Sequence, residues 1–483
     1  MSCDLLVIGG GINGAGIARD AAGRGLSVVL VERGDLANAT SSASSKLIHG
    51  GLRYLELYEL RLVAEALAER ETLLRVAGHL TWPLSFVIPH VPELRPRWMI
   101  RAGLFLYDHL ARRSLLPGSR AVRLDEPPYG SGLAATLKHG FLYSDCRVDD
   151  ARLVIANAAD AAARGARVLV GAECVAARRE QGAWRVQLSS DEEVRARALV
   201  NAAGPWVKRV LNERLGQPSA DAVRLVRGSH LVVPRLYEGE HAFILQNDDR
   251  RVVFMIPYEE DFTLVGTTDI PLEADGVDAH ASEQEIEYLC RAASRYLARA
   301  LTPREVVWRY AGVRPLYDDG SADPSDITRD YTLRLDGEPG SAPVLSVFGG
   351  KITTYRRLAE QALEKLAPHF PGMSAPWTAH APLPGSAFAS RAVAQAGFFE
   401  RHPGLPRPWL RGIFRRHGAL AGEVVGEGSL GEHYGAGLTE REVRYFAERE
   451  WARSAEDVLW RRTKCGLHMS EAQRGRVAQV MGR

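Results

Sequence analysis

Three glycines, spaced Gly9-x-Gly11-x-x-Gly14, follow the apolar run Leu5 to Ile8 and precede an apolar-periodic segment, Ile17 to Ala22. That order places a tight turn between a buried strand and a helix start, where free backbone N–H groups face phosphate oxygens. A second strand, Ser27 to Val31, ends on Glu32, about twenty residues past the glycines, where a carboxylate meets a ribose hydroxyl. The chemistry is dinucleotide binding, and the glycines do not say which dinucleotide. A second reactive stretch follows at once. A small, polar segment from Ala37 leads to Lys46, His49, Arg53 and Tyr54, with Gly50 and Gly51 among them. Glycines beside basic and aromatic residues suit a backbone lying close to a flat, phosphate-bearing ligand. An NAD-only half would instead proceed to its next strand within a few residues.

Two later strands also end in small residues. Leu199 to Asn201 runs into Ala202-Ala203-Gly204, and Pro343 to Phe348 runs into Gly349-Gly350-Lys351 and a helix from Thr353. The recurrence predicts one dinucleotide domain assembled from separated pieces. Between them, from Val223 to Arg334, runs such as His230–Val233, Arg251–Ile256, Phe262–Val265 and Val306–Ala311 predict an antiparallel sheet, interrupted by a helix over 282–300. The expected architecture is α/β with α+β. Residues 1–80, 141–215 and 336–380 form a discontinuous Rossmann-like domain, 81–140 and 216–335 a substrate-binding cap, and 381–483 a helical C-terminal domain. In the last, Thr439-Glu-Arg-Glu442 reads as a capping box. Trp98 to Arg113 reads as a basic amphipathic helix, packed on the substrate domain in preference to lying on a membrane.

The 483 residues are enough for two or three domains, and a net charge of +2 argues against a dedicated nucleic-acid binder. Five scattered cysteines show no metal-ligand spacing, so no metal is expected and a reduced compartment fits. The start of the chain lacks the basic region and apolar run of a signal peptide, and no apolar run has membrane-spanning length. A soluble or peripheral protein is expected.

Taken together, Ser44-Ser-Lys-Leu-Ile-His-Gly-Gly-Leu-Arg-Tyr-Leu-Glu56, Gly228-Ser-His230, Gly266-Thr-Thr-Asp269, Gly312-Val-Arg-Pro315, Gly349-Gly-Lys-Ile-Thr-Thr-Tyr-Arg356, Glu450-Trp451 and Arg461-Arg-Thr-Lys464 resemble the FAD-dependent glycerol-3-phosphate dehydrogenases. The segments occur in order over almost the whole chain. The resemblance implies a cap of the D-amino-acid-oxidase type and FAD as cofactor. FAD would be held by Gly9, Gly11, Ile12, Asn13, Gly14, Glu32, Arg33, Ser41, Ser42, Ser45, Lys46, His49, Val175, Ala203, Gly204, Gly350, Lys351, Ile352 and Thr353. It implies oxidation of sn-glycerol 3-phosphate to dihydroxyacetone phosphate, with electrons passed to ubiquinone or menaquinone. It also implies a homodimer in peripheral contact with the cytoplasmic face of the inner membrane.

Chemistry makes sense of these positions. Arginine offers planar, multi-donor recognition of phosphate, which suits Arg314 and Arg329 at family positions, Arg53 in the loop, and Lys351 as a further cation. Tyr54, Thr267 and Thr268 would complete the pocket. Arginine stays protonated, so His230, and after it His49, are the expected proton acceptors, with Arg314 and Lys351 stabilising developing charge. Two rivals remain at this stage: an oxidase of the same architecture that hands electrons to O2, and a non-catalytic flavin-binding sensor.

Overall fold

The computed structural model describes residues 1–482 apart from 57, 220, 222, 250, 274–276, 278, 319–329 and 338–340. Arg329 therefore lies outside the described residues, as does the side chain of Arg53.

One sheet runs in the order Thr332–Asp336, Val344–Phe348, Glu193–Asn201, Ser2–Ile8, Val28–Glu32, Arg167–Val170. All neighbours are parallel except the first pair. A parallel sheet is covered on both faces, and its central strands read as unbroken apolar runs for that reason. Leu5, Val7, Val28, Leu30 and Val200 point to one face, into the helices Ile12–Gly23, Asp150–Ala163 and Tyr355–Leu366. Leu6, Ile8, Val29, Val31 and Leu199 point to the other, under Trp184 and Val186 of the hairpin Cys174–Glu180/Ala183–Leu188. The three glycine-ended strands, Ser2–Ile8, Glu193–Asn201 and Val344–Phe348, lie side by side, so their glycines gather at one edge.

The second sheet runs Ile270–Leu272, Val223–Pro234, Phe262–Gly266, Val252–Tyr258, Ala242–Gln246, Thr81–Pro89, His139–Val148, Leu47–Ile48. Trp308–Tyr317 pairs with Val223–Pro234 over ten residues. This sheet holds strands that were expected on the cofactor side. Residues 141–148 pair with Thr81–Pro89 from Val148 to Phe141, and Leu47–Ile48 pairs with the same strand. The sequence of 141–146 is buried on both faces, so no two-residue alternation marks its partner. The cofactor half also gains Thr332–Asp336, starting before the expected boundary at 336.

The helical C-terminal region is joined to the cofactor half through buried ion pairs. Arg461 and Arg462 both donate to Asp35, at 2.6 and 2.5–2.7 Å, and Arg152 is bidentate to Glu450. Thr439 caps the helix Glu440–Glu450, but the expected capping box is only half formed. The Glu442 carboxylate instead accepts from Arg416 twice at 2.7 Å and pairs with His417 at 2.9 Å. Burial opposes its charge, yet Arg416 and His417 outweigh it and hold the carboxyl at about 2. A buried guanidinium donating twice, with the His417 ring beside it, competes better for that carboxylate than one backbone N–H does. Asp35→Ala would leave Arg461 and Arg462 facing each other without their shared acceptor. A loss of about 3–5 kcal/mol is expected, read as a lower denaturant midpoint. An unchanged midpoint would show that the domain contact is not held here.

A candidate cofactor cleft and substrate site

The gathered glycines line a cleft. Gly9 (φ +111°) passes so close to the next strand that a Cβ would lie 2.5 Å from the Ala202 carbonyl, and one on Gly14 would lie 1.9 Å from the Gly9 carbonyl. These two are required by packing. A Cβ on Gly11 would meet only Ser41 Oγ, at 3.1 Å, so the space above Gly11 is open to a ligand. Gly11 caps the first helix without a side chain, and the Ile12 N–H donates to Ser41 Oγ at 3.0 Å. Glu32 accepts from the Gly10 and Gly34 N–H groups at 2.7 and 2.8 Å, one on each oxygen, leaving further lone pairs toward the cleft. Burial raises its pKa despite those donors.

The cleft is lined by Gly9, Gly11, Ile12, Asn13, Glu32, Arg33, Ser41, Ala203, Gly204, Gly350 and Ile352 among the expected cofactor residues. Val175 is not in the wall; its neighbours Glu173 and Cys174 are. Asn13 donates to the Gly349 carbonyl at 3.2 Å, and its Oδ1 is buried without a partner. An open glycine, helix N–H groups, a ribose-height carboxylate and an unpartnered buried amide oxygen together fit a dinucleotide such as FAD. Sequence reasoning missed Trp206, over which Arg33 stacks at 4.0 Å, and the backbone from Asn38 to Thr40. Neither carries a motif; only the fold brings them to the cleft.

Ser42, Ser45 and Lys46 play other parts. Ser42 Oγ donates to the Ala39 carbonyl. Lys46, in the left-handed region at φ +59°, is buried and donates to both Asp150 oxygens at 2.9 and 3.0 Å and to the Ser42 carbonyl. Asp150 also accepts from the Ser44 hydroxyl at 2.8 Å. The loop is thus tied down from below, and the Lys46 ammonium is spent on Asp150 in this arrangement. Ser45 Oγ lies 2.8 Å from His230 Nε2.

The second sheet meets this loop. Its register sets His230 opposite Gly266 and Tyr310, and Gly266 opposite Phe254. A Cβ on Gly266 would lie 2.2 Å from the His230 ring, so the glycine makes room for the imidazole. His230 is 2 % exposed and stacks on Tyr310 at 4.9 Å and 13°. Burial, then the charges of Arg314 and Lys46, push its pKa well below the usual histidine value, so it is neutral. The buried ring stands behind Ser45. Arg314 fills the space left by Gly228, where a Cβ would lie 2.3 Å from its Nη2. It pairs with Asp269 and donates to Thr267 Oγ1 at 3.1 Å, leaving it half-buried. Thr268 faces away. Its hydroxyl donates to Glu285 at 2.7 Å and accepts from the Ser229 N–H. A pocket role for Thr268 does not match this geometry.

Lys351 lies over the Tyr54 ring at 4.0 Å. The His49 backbone contacts Thr353 Oγ1 at 3.3 Å, and its ring meets Phe254 edge-on at 6.4 Å. These pairs bring the loop, the second sheet and the last glycine-ended strand together. Gly312 completes the approach, since a Cβ there would lie 2.9 Å from the Ala43 carbonyl.

Comparison with known proteins agrees with this geometry. The family profile described as FAD dependent oxidoreductase matches residues 4–356, and the one described as the C-terminal domain of alpha-glycerophosphate oxidase matches 376–483. Glycerol-3-phosphate dehydrogenase of Pseudomonas aeruginosa is 53% identical, over 99% of this chain and 94% of its own length. D-erythritol 1-phosphate dehydrogenase of Brucella abortus is 51% identical, over 98% and 96%. The solved structure of glycerol-3-phosphate dehydrogenase from Bacillus halodurans complexed with FAD matches with a TM-score of 0.72 at 25% identity, over 100% of this chain and 94% of that one. The fold and cleft define an FAD-dependent oxidoreductase with a cap like that of the D-amino-acid oxidases. Within that class the chain belongs to the FAD-dependent glycerol-3-phosphate dehydrogenase family, joined to the glycerophosphate-oxidase type of C-terminal domain.

Proposed function

We propose that the protein oxidises the C2 hydroxyl of sn-glycerol 3-phosphate to give dihydroxyacetone phosphate and passes the electrons to a quinone, ubiquinone or menaquinone. The observation that carries this reading is Arg314: a guanidinium seated in space cleared by Gly228, fixed by Thr267 and Asp269, on the sheet that closes over the cofactor loop. A fixed fork of donors is what a phosphomonoester requires. Arg329, Arg53, Tyr54 and Lys351 join it through the family resemblance.

FAD supplies the hydride acceptor. The chain's own residues must orient C2 and take the hydroxyl proton. Ser45 is half-buried beside the cleft loop, and neutral His230 lies behind it at 2.8 Å, so the proton passes to the Ser45–His230 pair. Arg314 and Lys351 offset the charge that develops on the oxygen. Because the His230 pKa is depressed, the ring is already deprotonated at neutral pH, and no acid limb from it is expected near pH 6.5. His230→Asn should slow flavin reduction by about 10²–10⁴. An undiminished rate would move the proton to His49.

The direct test of the substrate is anaerobic addition of glycerol 3-phosphate while the flavin absorption is followed. Bleaching is expected. D-erythritol 1-phosphate belongs in the same experiment, because a relative bearing that name is nearly as similar; faster bleaching by it would move the substrate to the four-carbon polyol. Turnover with a quinone analogue, set against hydrogen peroxide release in air, separates dehydrogenase from oxidase.

Among the described residues no helix is long and apolar enough to cross a membrane. The helix Arg97–His109 packs Ile100, Leu104 and Tyr107 inward, yet leaves Trp98 69% and Phe105 62% exposed, with Met99 and Leu106 beside them. Arg97 and Arg101 flank that face. An apolar face edged by arginines suits attachment to an anionic lipid surface. Binding to anionic vesicles should weaken at high salt and fall in Trp98→Ala/Phe105→Ala; equal sedimentation of the variant would place the contact elsewhere.

A further inference from the structure

Outside the wall of the cofactor cleft, four elements bring three arginines around one indole. Trp82 begins the strand Thr81–Pro89, and Arg147 sits opposite it in the register of His139–Val148. Arg391 starts the helix Arg391–Arg401, and Arg415 lies near the end of Arg407–His417. Their guanidinium carbons lie 5.5 Å (Arg147), 4.8 Å (Arg391) and 5.8 Å (Arg415) from the Trp82 ring centre. All four side chains are half-buried, so solvent reaches them.

The local charges do not cancel. Glu259 is bidentate to Arg415 and lies 3.7 Å from Arg147, whose Nη1 donates to the Pro257 carbonyl at 2.8 Å. Lys464 and Asp149 also face the group, Lys464 donating to the Trp460 carbonyl and Asp149 capping the helix Asp150–Ala163. Four cations thus face two carboxylates. Arg391 has no carboxylate or carbonyl partner among the described residues, and its one contact is the indole. Burial, then repulsion from Arg415 and Arg147, pulls its pKa down to about 10. An arginine strained against two others fits a place where an anion belongs, whereas solvated surface arginines would spread apart.

We propose that Arg147, Arg391 and Arg415 around Trp82 form a second anion site that takes a phosphate group, separate from the substrate site. Several planar forks converging from different elements match the oxygens of a tetrahedral phosphate better than a single carboxylate. The same chemistry is offered by a free phosphate ion or by a phospholipid headgroup. Since the site joins the cap strands to the C-terminal helices, occupancy draws those two parts together.

The test uses the FAD-loaded protein and its Arg391→Gln variant, with glycerol 3-phosphate KM as the control that the substrate site is intact. Thermal midpoints are read in inorganic phosphate and in chloride at equal ionic strength. Any phosphate bound at the substrate site contributes equally to both proteins, so the difference between them reports the new site alone. Wild type should gain more from phosphate than the variant, with at least a tenfold difference in fitted affinity. In chloride the variant should be no less stable than wild type, because an unpaired cation has been removed. Arg391→Lys, which keeps charge and loses the fork, should fall between them. Co-sedimentation with phosphatidylglycerol vesicles separates the two sources. Loss of vesicle binding in Arg391→Gln assigns a lipid headgroup, and unchanged vesicle binding with lost phosphate stabilisation assigns a free phosphate. Equal phosphate stabilisation and equal vesicle binding in the two proteins would overturn the site. An altered flavin-bleaching response would bear only on the substrate reading.

Discussion

Arg314→Ala should raise the KM for glycerol 3-phosphate and lower kcat/KM by about 10²–10³, from the loss of a charge-assisted contact worth roughly 3–4 kcal/mol. The FAD content should be unchanged, because Arg314 reaches Thr267 and Asp269 of the second sheet and not the glycine turn. Part of the loss comes from Asp269, whose carboxylate is left without its guanidinium partner beside an incoming phosphate. The double variant Arg314→Ala/Asp269→Ala should therefore recover part of the affinity. Arg314→Lys should recover less, since an ammonium cannot reproduce two parallel donors. Steady-state kinetics at full flavin occupancy decide the matter. A KM that does not move in Arg314→Ala removes the phosphate clamp, and with it the main support for a phosphorylated substrate.

Gly14→Ala should yield a colourless protein. Its methyl would sit 1.9 Å from the Gly9 carbonyl and 3.4 Å from the Ala202 side chain, both parts of the sheet edge itself. Neither neighbour is a flexible side-chain end that could swing away. The strand-to-helix turn must open, and overpacking of about 1–3 kcal/mol falls on the segment whose N–H groups face the dinucleotide. Gly11→Ala is the instructive comparison. Its methyl would meet only Ser41 Oγ, so the apoprotein should melt as wild type does while FAD affinity falls. Flavin absorbance after gel filtration and the thermal midpoint of the apoprotein, taken together, separate packing from ligand approach. If Gly14→Ala retained full flavin, the packing account of the turn would be wrong.

Much of the cofactor half was legible because its requirements are local. Gly9, Gly11 and Gly14 sit within one turn, and Glu32 follows at the end of the next strand; short-range backbone geometry demands those residues whatever surrounds them. The glycines at 228, 266 and 312 were visible as motif members, but their purpose was not. Each clears space for a group distant in sequence or on another strand: Arg314, His230 and the Ala43 carbonyl. Asp150 carried no signal either, since a carboxylate at a helix start reads as an ordinary first-turn acid until Lys46 and Ser44 are found on it.

The sequence by itself determined that a dinucleotide sits on a strand–turn–helix start, that three separated strands share it, and that the whole resembles one flavoenzyme family. Those conclusions rest on periodicity, on backbone freedom at glycine, and on motif order, all of which are written along the chain. The tertiary structure decided which of the expected residues meet the cleft. It turned Thr268 inward to Glu285, closed His230 behind Ser45, committed Lys46 to Asp150, and moved residues 141–148 into the second sheet. Side-chain direction and ion pairing depend on which strand lies opposite and on which charge arrives first, and neither is a property of neighbours in sequence.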